Sequence, residues 1–444
     1  MFHSIKKLIP PSFLDYYHFL QGVAAAYYYG FPANDLICIG VTGTKGKTTT
    51  CSMIAAILEK AGEDVGLSST VNFQIGKKKW MNKTKMTSVP PFQMQKLLRD
   101  IKDAGCKYAV LEISSHAIQQ HRVYGIPFQV AVFTNIAEEH IEYHGNFIQY
   151  KKAKGELFAL LKKTKYVAGG KKTSIVNLDD RQAQFFLSFP CNVKYGYTVQ
   201  DVYTSKLKDE APFRTVTAQA TSLELHNVLY KIKTPEGDFD LRLKILGIFN
   251  VYNALAAVSC TISLGVDLET IKKALEEFKG VPGRMEEINM GQDFKVIVDY
   301  AHTPDSLHQV YETIASFPHN KIISVLGSCG DRDKEKRPVM GSLAAKFCNI
   351  VIVTNEDPYF EDPEKIIDEV LEGAEGQGKR LNKNLFRISD RGDAIKRAIE
   401  LVEENDVVII TGKGCEQCIV VGDRKIPWDD RKVVREEIRK LGKF

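Results

Sequence analysis

Residues Gly40-Val41-Thr42-Gly43-Thr44-Lys45-Gly46-Lys47-Thr48-Thr49-Thr50 place small side chains, a lysine and several hydroxyls between an apolar run and a helix-forming run. Small residues let backbone N–H groups converge on phosphate oxygens, and the positive end of the helix that follows favours the anion. Lys47 can neutralise terminal phosphates, and the Thr48 hydroxyl can ligate Mg²⁺. One position departs from the general phosphate-loop spacing: Val41 stands where glycine is usual, with glycines at 40 and 43 instead. A glycine-rich turn without a ligand is the competing reading. Gly-Lys-Thr between a strand and a helix favours phosphate. The nine cysteines offer less chemistry. Their number is odd and most lie in apolar runs, which suits buried free thiols in a reducing compartment. Cys415 and Cys418 form a lone C-x-x-C without the second pair that zinc requires.

The elements that must hold the loop follow from the pattern around it. Leu36 to Val41 reads as a buried strand and Thr48 to Ala61 as a helix. Tyr108 to Ile113 and Val130 to Thr134 are further strands, and such alternation predicts a mostly parallel sheet covered by helices. Residues 200 to 246 alternate instead, as in Thr215-Val216-Thr217-Ala218, and predict an antiparallel subregion. Helices are expected at Asn250 to Leu264 and Leu268 to Phe278. The breaker cluster Gly280-Val281-Pro282-Gly283 marks a boundary. Beyond it, strands at Lys295 to Asp299, Lys321 to Leu326, Ile350 to Thr354 and Val407 to Thr411 predict a second, doubly wound, Rossmann-like α/β domain. The organisation expected is an N-terminal helical segment (1–34), a central nucleotide-binding domain (35–280) and a C-terminal domain (281–444).

The 444 residues carry 60 basic and 55 acidic side chains. A net +5 spread over that length argues against a nucleic-acid binder, which concentrates its charge on one face. The apolar run Phe19 to Phe31 follows Lys6 and Lys7, but Asp15, His18 and Gln21 break it up and it is too short to span a bilayer. It reads as a helix docked on the protein itself, with peripheral membrane contact as the alternative. The chain reads as cytoplasmic.

Further blocks follow the loop in order. They are Met86-Thr87-Ser88-Val89-Pro90, Leu111-Glu112-Ile113-Ser114-Ser115-His116 with Gln120-His121-Arg122, and Phe133-Thr134-Asn135 through Glu138-Glu139-His140 to His144-Gly145. Tyr150-Lys151-Lys152-Ala153-Lys154 and Leu246-Gly247-Ile248-Phe249-Asn250-Val251-Tyr252-Asn253 come next. The second half adds Pro282-Gly283-Arg284, Val298-Asp299-Tyr300-Ala301-His302, Gly330-Asp331-Arg332-Asp333, Glu356-Asp357-Pro358-Tyr359 and Gly412-Lys413-Gly414-Cys415-Glu416. Together they resemble the Mur ligases, and the Ser-Ser-His and Gln-His-Arg blocks resemble the muramoyl-tripeptide synthetase (MurE) type.

The resemblance implies an ATP-dependent acid–amino-acid ligase of peptidoglycan precursor synthesis. Such an enzyme joins a diamino acid, diaminopimelate or lysine, to UDP-N-acetylmuramoyl-L-alanyl-D-glutamate through an acyl phosphate. It implies that Gly43, Thr44, Lys45, Gly46, Lys47, Thr48 and Thr49 hold ATP, with Asn250, Arg284, Asp299 and His302 near its adenine, ribose and phosphates. Thr48, Glu112, His140 and Lys154 would serve two Mg²⁺ ions, Lys154 as a carbamate formed with CO₂. Lys47, Glu112, His140 and Lys154 would be the catalytic set. Thr87, Ser88, Ser114, Gln120 and Arg122 would hold the muramoyl-dipeptide. Arg332, Asp357, Gly412 and Glu416 would hold the diamino acid. Taken without the resemblance, Glu112 reads as a salt-bridged structural glutamate, His140 as a hydrogen-bonded core histidine and Lys154 as part of a solvated basic face.

Three features depart from that pattern. Only about forty residues precede the loop, fewer than an α/β domain for the uridine diphosphate needs. Tyr359 stands where diaminopimelate-adding enzymes carry an arginine that reads the distal carboxylate, and Asp357 beside it would favour an ammonium. Cys415 replaces a histidine. The rival readings are a folyl-polyglutamate type of ligase and a non-catalytic ATP-binding scaffold.

Overall fold

The computed structural model describes residues 11–163, 170–200, 213–224 and 227–442. Lys6, Lys7 and the start of the 200–246 stretch lie outside them. The chain divides into two compact units, residues 1–244 with 248–279, and residues 245–247 with 280–444.

In the first unit the strands are β1 (Ile37–Thr42), β2 (Val65–Ser68), β3 (Asn72–Ile75), β4 (Lys78–Met81), β5 (Tyr108–Glu112), β6 (Phe128–Phe133), β7 (Thr173–Asn177), β8 (Val193–Thr198), β9 (Phe213–Glu224), β10 (Asn227–Thr234) and β11 (Gly237–Leu243). They form one sheet in the order β11-β10-β9-β8-β7-β6-β1-β5-β2-β3-β4. The strands from β2 across to β9 pair in parallel, whereas β9-β10-β11 and β2-β3-β4 are antiparallel. The expected mixture of a parallel sheet with an antiparallel extension is therefore present. The helices are α1 (Pro11–Tyr29), α2 (Lys47–Lys60), α3 (Pro91–Asp103), α4 (Ser115–Gln119), α5 (Ile141–His144), α6 (Phe147–Lys163), α7 (Ala183–Leu187), α8 (Ile248–Ser263) and α9 (Leu268–Glu277).

β5 and β6 are buried along their whole length and β1 nearly so. That is why they read as continuous apolar runs rather than alternating ones. β1 sits between β5 and β6, so the loop after β1 opens where the strand order reverses. In such sheets ligands bind at the carboxyl ends of the strands around that point. α1 packs on α3 and leaves Phe13, Tyr16, Tyr17, Tyr27 and Tyr28 exposed. No described helix is long and apolar enough to cross a membrane.

The second unit holds β12 (Glu286–Glu287), β13 (Lys295–Val298), β14 (Ile322–Leu326), β15 (Ile350–Val353), β16 (Leu385–Arg387) and β17 (Val407–Ile410). Their order is β12-β13-β17-β14-β15-β16, parallel except for β12. A small hairpin, β18 (Cys418–Val421) with β19 (Arg424–Pro427), stands apart. Helices α10 (Pro304–Ala315), α11 (Lys336–Phe347), α12 (Pro363–Glu375), α13 (Arg391–Leu401) and α14 (Asp430–Leu441) complete the expected doubly wound pattern. Thr303 and Ser306 close a capping box at the start of α10, with Pro304 at its first position.

Candidate active site

The loop between β1 and α2 is held tightly by the segment after β6. Asn135 accepts from the Thr44 N–H with its carbonyl (2.8 Å) and from the Lys45 N–H with Oδ1 (2.9 Å), and its Nδ2 donates to Lys45 O (3.1 Å). The Thr134 hydroxyl donates to Lys45 O at 2.6 Å. Two glycines are required for these approaches. A Cβ on Gly43 would lie 1.9 Å from Thr134 Oγ1, and one on Gly46, whose φ is +80°, would lie 2.3 Å from Asn253 Oδ1. Asn253 in turn accepts from the Thr50 hydroxyl (3.3 Å) and donates to Asn250 Oδ1 (3.1 Å), so Asn250 is buried behind the start of α2. Thr49 is buried beside it in the first turn of that helix.

Two lysines meet on one carbonyl. Lys47 Nζ donates to Gly43 O at 3.0 Å and Thr44 O at 2.8 Å, while Lys154 Nζ donates to Gly43 O at 2.7 Å. Lys154 is 2% exposed and its Nζ lies 4.6 Å from the centre of the Tyr150 ring. Burial lowers its pKa well below the ordinary lysine value, the Lys47 charge adds to that, and Glu139 and Glu112 oppose it. The solvated-face reading of Lys154 is therefore wrong: α6 turns this lysine inward, beneath the loop. Tyr150 shares its hydroxyl with Thr44 Oγ1 at 3.0 Å.

Glu112 ends β5 and is 2% exposed. Its Oε2 accepts from the Thr48 hydroxyl (2.9 Å) and the Thr70 N–H (2.7 Å), and its Oε1 from the Thr70 hydroxyl (2.9 Å). Neutral donors, not a cation, surround this carboxylate, so it is not the salt-bridged glutamate that the residue alone suggested.

The network continues outward. The Thr87 hydroxyl lies 3.1 Å from Thr70 Oγ1, whose own proton goes to Glu112, and the Ser88 hydroxyl donates to Glu112 O (2.9 Å). Ser88 Oγ accepts from Ser114 N (3.1 Å), and Ser114 caps α4 through Ala117 N. Arg122 donates to Ser88 O through Nη1 (2.5 Å) and to Gln120 Oε1 through Nε and Nη2. Gln120 donates to the Tyr143 hydroxyl at 2.9 Å. All five residues expected around the muramoyl-dipeptide thus connect to Glu112, Thr87 to its carboxylate through Thr70 and the other four to its backbone carbonyl through Ser88.

His140 begins α5 with φ at +57° and belongs to an aromatic cluster. Its ring centre lies 4.8 Å from that of His116 and 6.3 Å from that of Tyr150. Glu139 and Glu142 stand 3.9 and 3.8 Å from its nitrogens. Burial lowers the pKa of all three histidines here, His116 to about 3 and His144 to about 4. Among the described residues no three His, Cys, Asp or Glu side chains converge as a metal-binding group. The oxygens of Thr48 and Glu112 do fit Mg²⁺, which takes one or two protein ligands and fills the rest of its shell with water and phosphate.

In the second unit the candidates gather at the carboxyl ends of β13, β14, β15 and β17. Asp299 follows β13, and the N–H groups of Met285 and Ala301 donate to it, both at 2.7 Å. Burial raises its pKa, and the Arg284 guanidinium opposes that. Arg284 lies over Tyr300 at 4.4 Å with its Nε buried and unpartnered. His302 Nδ1 lies 2.9 Å from Tyr300 O. The Tyr300 hydroxyl donates to Glu416 Oε1 at 3.2 Å. Lys413, fully buried after β17, donates to Asp357 (2.8 Å) and Glu416 (2.5 Å). Gly412 is glycine by necessity, since a Cβ would meet Glu356 Oε2 at 2.2 Å. That oxygen and Ser328 Oγ are buried without partners, as at the mouth of a site that expects a polar ligand. Arg332 is not brought into this cluster; it is exposed and carries no hydrogen bond or ion pair among the described residues. Cys415 is buried, and burial raises its thiol pKa.

Sequence reasoning gave no role to Thr70, Asn135, Tyr150, Asn253, Tyr300, Lys413 or Glu356. Most of these lie inside the quoted blocks. Only Thr70 had no signal, because it sits in the plain polar stretch Ser68-Ser69-Thr70.

A sheet with a phosphate loop at its switch point, lysines under the loop and a second α/β unit is the frame of an ATP-dependent ligase. The Mur ligase middle domain matches residues 41–261, and the Mur ligase glutamate ligase domain matches residues 283–414. The chain is 39% identical to a UDP-N-acetylmuramyl-tripeptide synthetase from Roseiflexus sp. over 94% of this chain and 81% of that protein. It is 40% identical to a UDP-N-acetylmuramoyl-L-alanyl-D-glutamate–2,6-diaminopimelate ligase from Halalkalibacterium halodurans, again over 94% and 81%. A solved structure of a ligase with that second name superposes with a TM-score of 0.62 at 31% identity, covering 92% of this chain and 79% of the other. The chain belongs to the Mur ligase family. Its relatives at this level are muramoyl-tripeptide synthetases, and the family uses ATP.

Proposed function

We propose that this chain joins diaminopimelate to UDP-N-acetylmuramoyl-L-alanyl-D-glutamate at the expense of ATP, in the cytoplasm. The observation that carries the reading is the unbroken hydrogen-bonded path from Thr48 of the phosphate loop through Glu112 and Ser88 to Arg122. It ties the nucleotide residues to the muramoyl-dipeptide residues on one rigid frame. In the reaction a substrate carboxylate oxygen attacks the γ-phosphorus, the bond to the bridging oxygen breaks and ADP leaves. The amine then attacks the acyl carbon, a C–N bond forms, phosphate departs and the amine gives up a proton. Most of such catalysis is alignment and charge neutralisation.

Lys47 supplies a fixed positive charge to the triphosphate. Thr48 and Glu112 would hold Mg²⁺, with His140 serving a second ion, and the metal supplies charge neutralisation at the phosphates. Lys154 is poised to react with CO₂, because a carbamate forms from a neutral amine with release of one proton. Burial next to Lys47 favours that neutral form. Arg122 suits a carboxylate or diphosphate through paired N–H donors.

For the amino acid, the Lys413 ammonium already pairs with Asp357. Asp357 is therefore already paired and gives no preference for the side-chain ammonium of lysine; the choice of diaminopimelate follows the relatives that add it. The test offers diaminopimelate, lysine and ornithine separately with ATP, Mg²⁺ and UDP-muramoyl-L-Ala-D-Glu. Phosphate release and product mass are followed. Product with diaminopimelate above the other two is expected. Product with lysine alone would reverse the amino-acid choice, and none with any amine would overturn the reading.

A further inference from the structure

Helix α1 lies along the segment 120–126, which carries Gln120 and Arg122. Gly22 makes the nearest approach: a Cβ there would sit 2.6 Å from His121 O and 3.0 Å from Tyr124 Cβ. One turn earlier, the Phe19 ring meets those of His121 (5.4 Å) and Tyr124 (5.6 Å) edge-on. A further turn back, Asp15 Oδ1 lies 3.2 Å from His121 Nε2. On the next turn forward, Ala26 packs where a Cβ on Gly125 would come within 3.0 Å. Asp15, Phe19, Gly22 and Ala26 fall three and four residues apart, so they share one face of the helix.

The segment needs such support. His121 holds φ at +51°, a left-handed conformation that a non-glycine residue keeps only when its surroundings fix it. His121 and Tyr124 border a cavity of about 980 Å³, so only Val123 and Ile126 of this segment are anchored in the hydrophobic core. Beyond α1, Gln95 of α3 adds a hydrogen bond from its Nε2 to Tyr124 O (2.9 Å). The Asp15–His121 pair is largely exposed, so the close packing at Phe19 and Gly22 is the stronger clamp.

We propose that α1 is a positioning element for the acyl substrate: Phe19 and Gly22 brace the 120–126 segment so that Gln120 and Arg122 are held in line for the muramoyl-dipeptide. This rests on the role given above to Gln120 and Arg122. The test uses the full chain as wild type, Phe19→Ala, Gly22→Val and Asp15→Asn, with steady-state kinetics and amide hydrogen exchange. For Phe19→Ala, KM for UDP-muramoyl-L-Ala-D-Glu is expected to rise about tenfold, a scale that fits small misplacement of binding groups. KM for ATP should stay within about twofold. Exchange should quicken at 118–126 and not at 47–60, with Asp15→Asn showing a smaller effect. If Gly22→Val fails to fold, Phe19→Ala still decides the matter. Unchanged exchange at 118–126 in Phe19→Ala would overturn the brace whatever the activity. So would equal rises of both KM values, which mark general loosening. A wild-type chain that makes no product would instead overturn the functional reading, while the exchange measurement, which needs no substrate, still judges the brace.

Discussion

Lys154 shows how much a single side chain depends on its surroundings. In sequence it is one of three lysines within four residues; in the fold it is buried and shares Gly43 O with Lys47. Its native pKa is depressed, so between that value and the ordinary 10.5 the unfolded chain binds more protons than the native one. Stability therefore rises with pH across that window. In CO₂-free buffer, Lys154→Met should remove this slope and raise the melting temperature at neutral pH, as read by thermal melts over a pH series. The same change should lower kcat by about 10²–10³-fold, the scale for loss of one group that stabilises developing charge. Full activity of Lys154→Ala without added bicarbonate or acetate would remove the carbamate from the mechanism.

Elements set how strictly the loop is specified. Gly46 must take a left-handed φ with Asn253 against its α-carbon, so Gly46→Ala meets both strain and a clash. It should cost about 1–3 kcal/mol of stability and weaken ADP binding, measured by calorimetry. The short helices α4 and α5 carry His116 and His144, whose native pKa values are about 3 and about 4. The unfolded rings take up protons from about pH 6.5 downward. Their contribution is thus intact above about pH 6.5 and lost as pH falls towards the native values. A double His116→Gln, His144→Gln variant should melt with a flatter pH dependence between about pH 6 and pH 4. A slope equal to that of the wild type would mean that other groups carry the acid sensitivity.

At the scale of the molecule, the parallel strands were most legible where burial on both faces makes them uninterrupted apolar runs, as in β15 and β17. β7 was not, because Thr173 and Ser174 are buried within it and break the run. The hairpins β3-β4 and β18-β19 also escaped, since their edge strands carry exposed lysines and arginine. In the site, hydroxyls and backbone contacts were invisible for the same reason: Thr70 looks like any surface threonine until Glu112 is folded against it. The last prediction concerns the second unit alone. Arg391 donates to both Asp430 oxygens (2.7 and 2.8 Å) and to Thr411 O, with both side chains almost wholly buried. Removing one partner strands the other charge in the interior, which costs about 3–5 kcal/mol. Arg391→Met should therefore speed amide exchange throughout α13, α14 and β17. Exchange in β1 and α2 should be unchanged, because the pair belongs wholly to residues 280–444. Restoring stability with Arg391→Met, Asp430→Leu together would show that the cost lies in the orphaned carboxylate and not in lost packing. A double variant as weak as the single one would show the reverse.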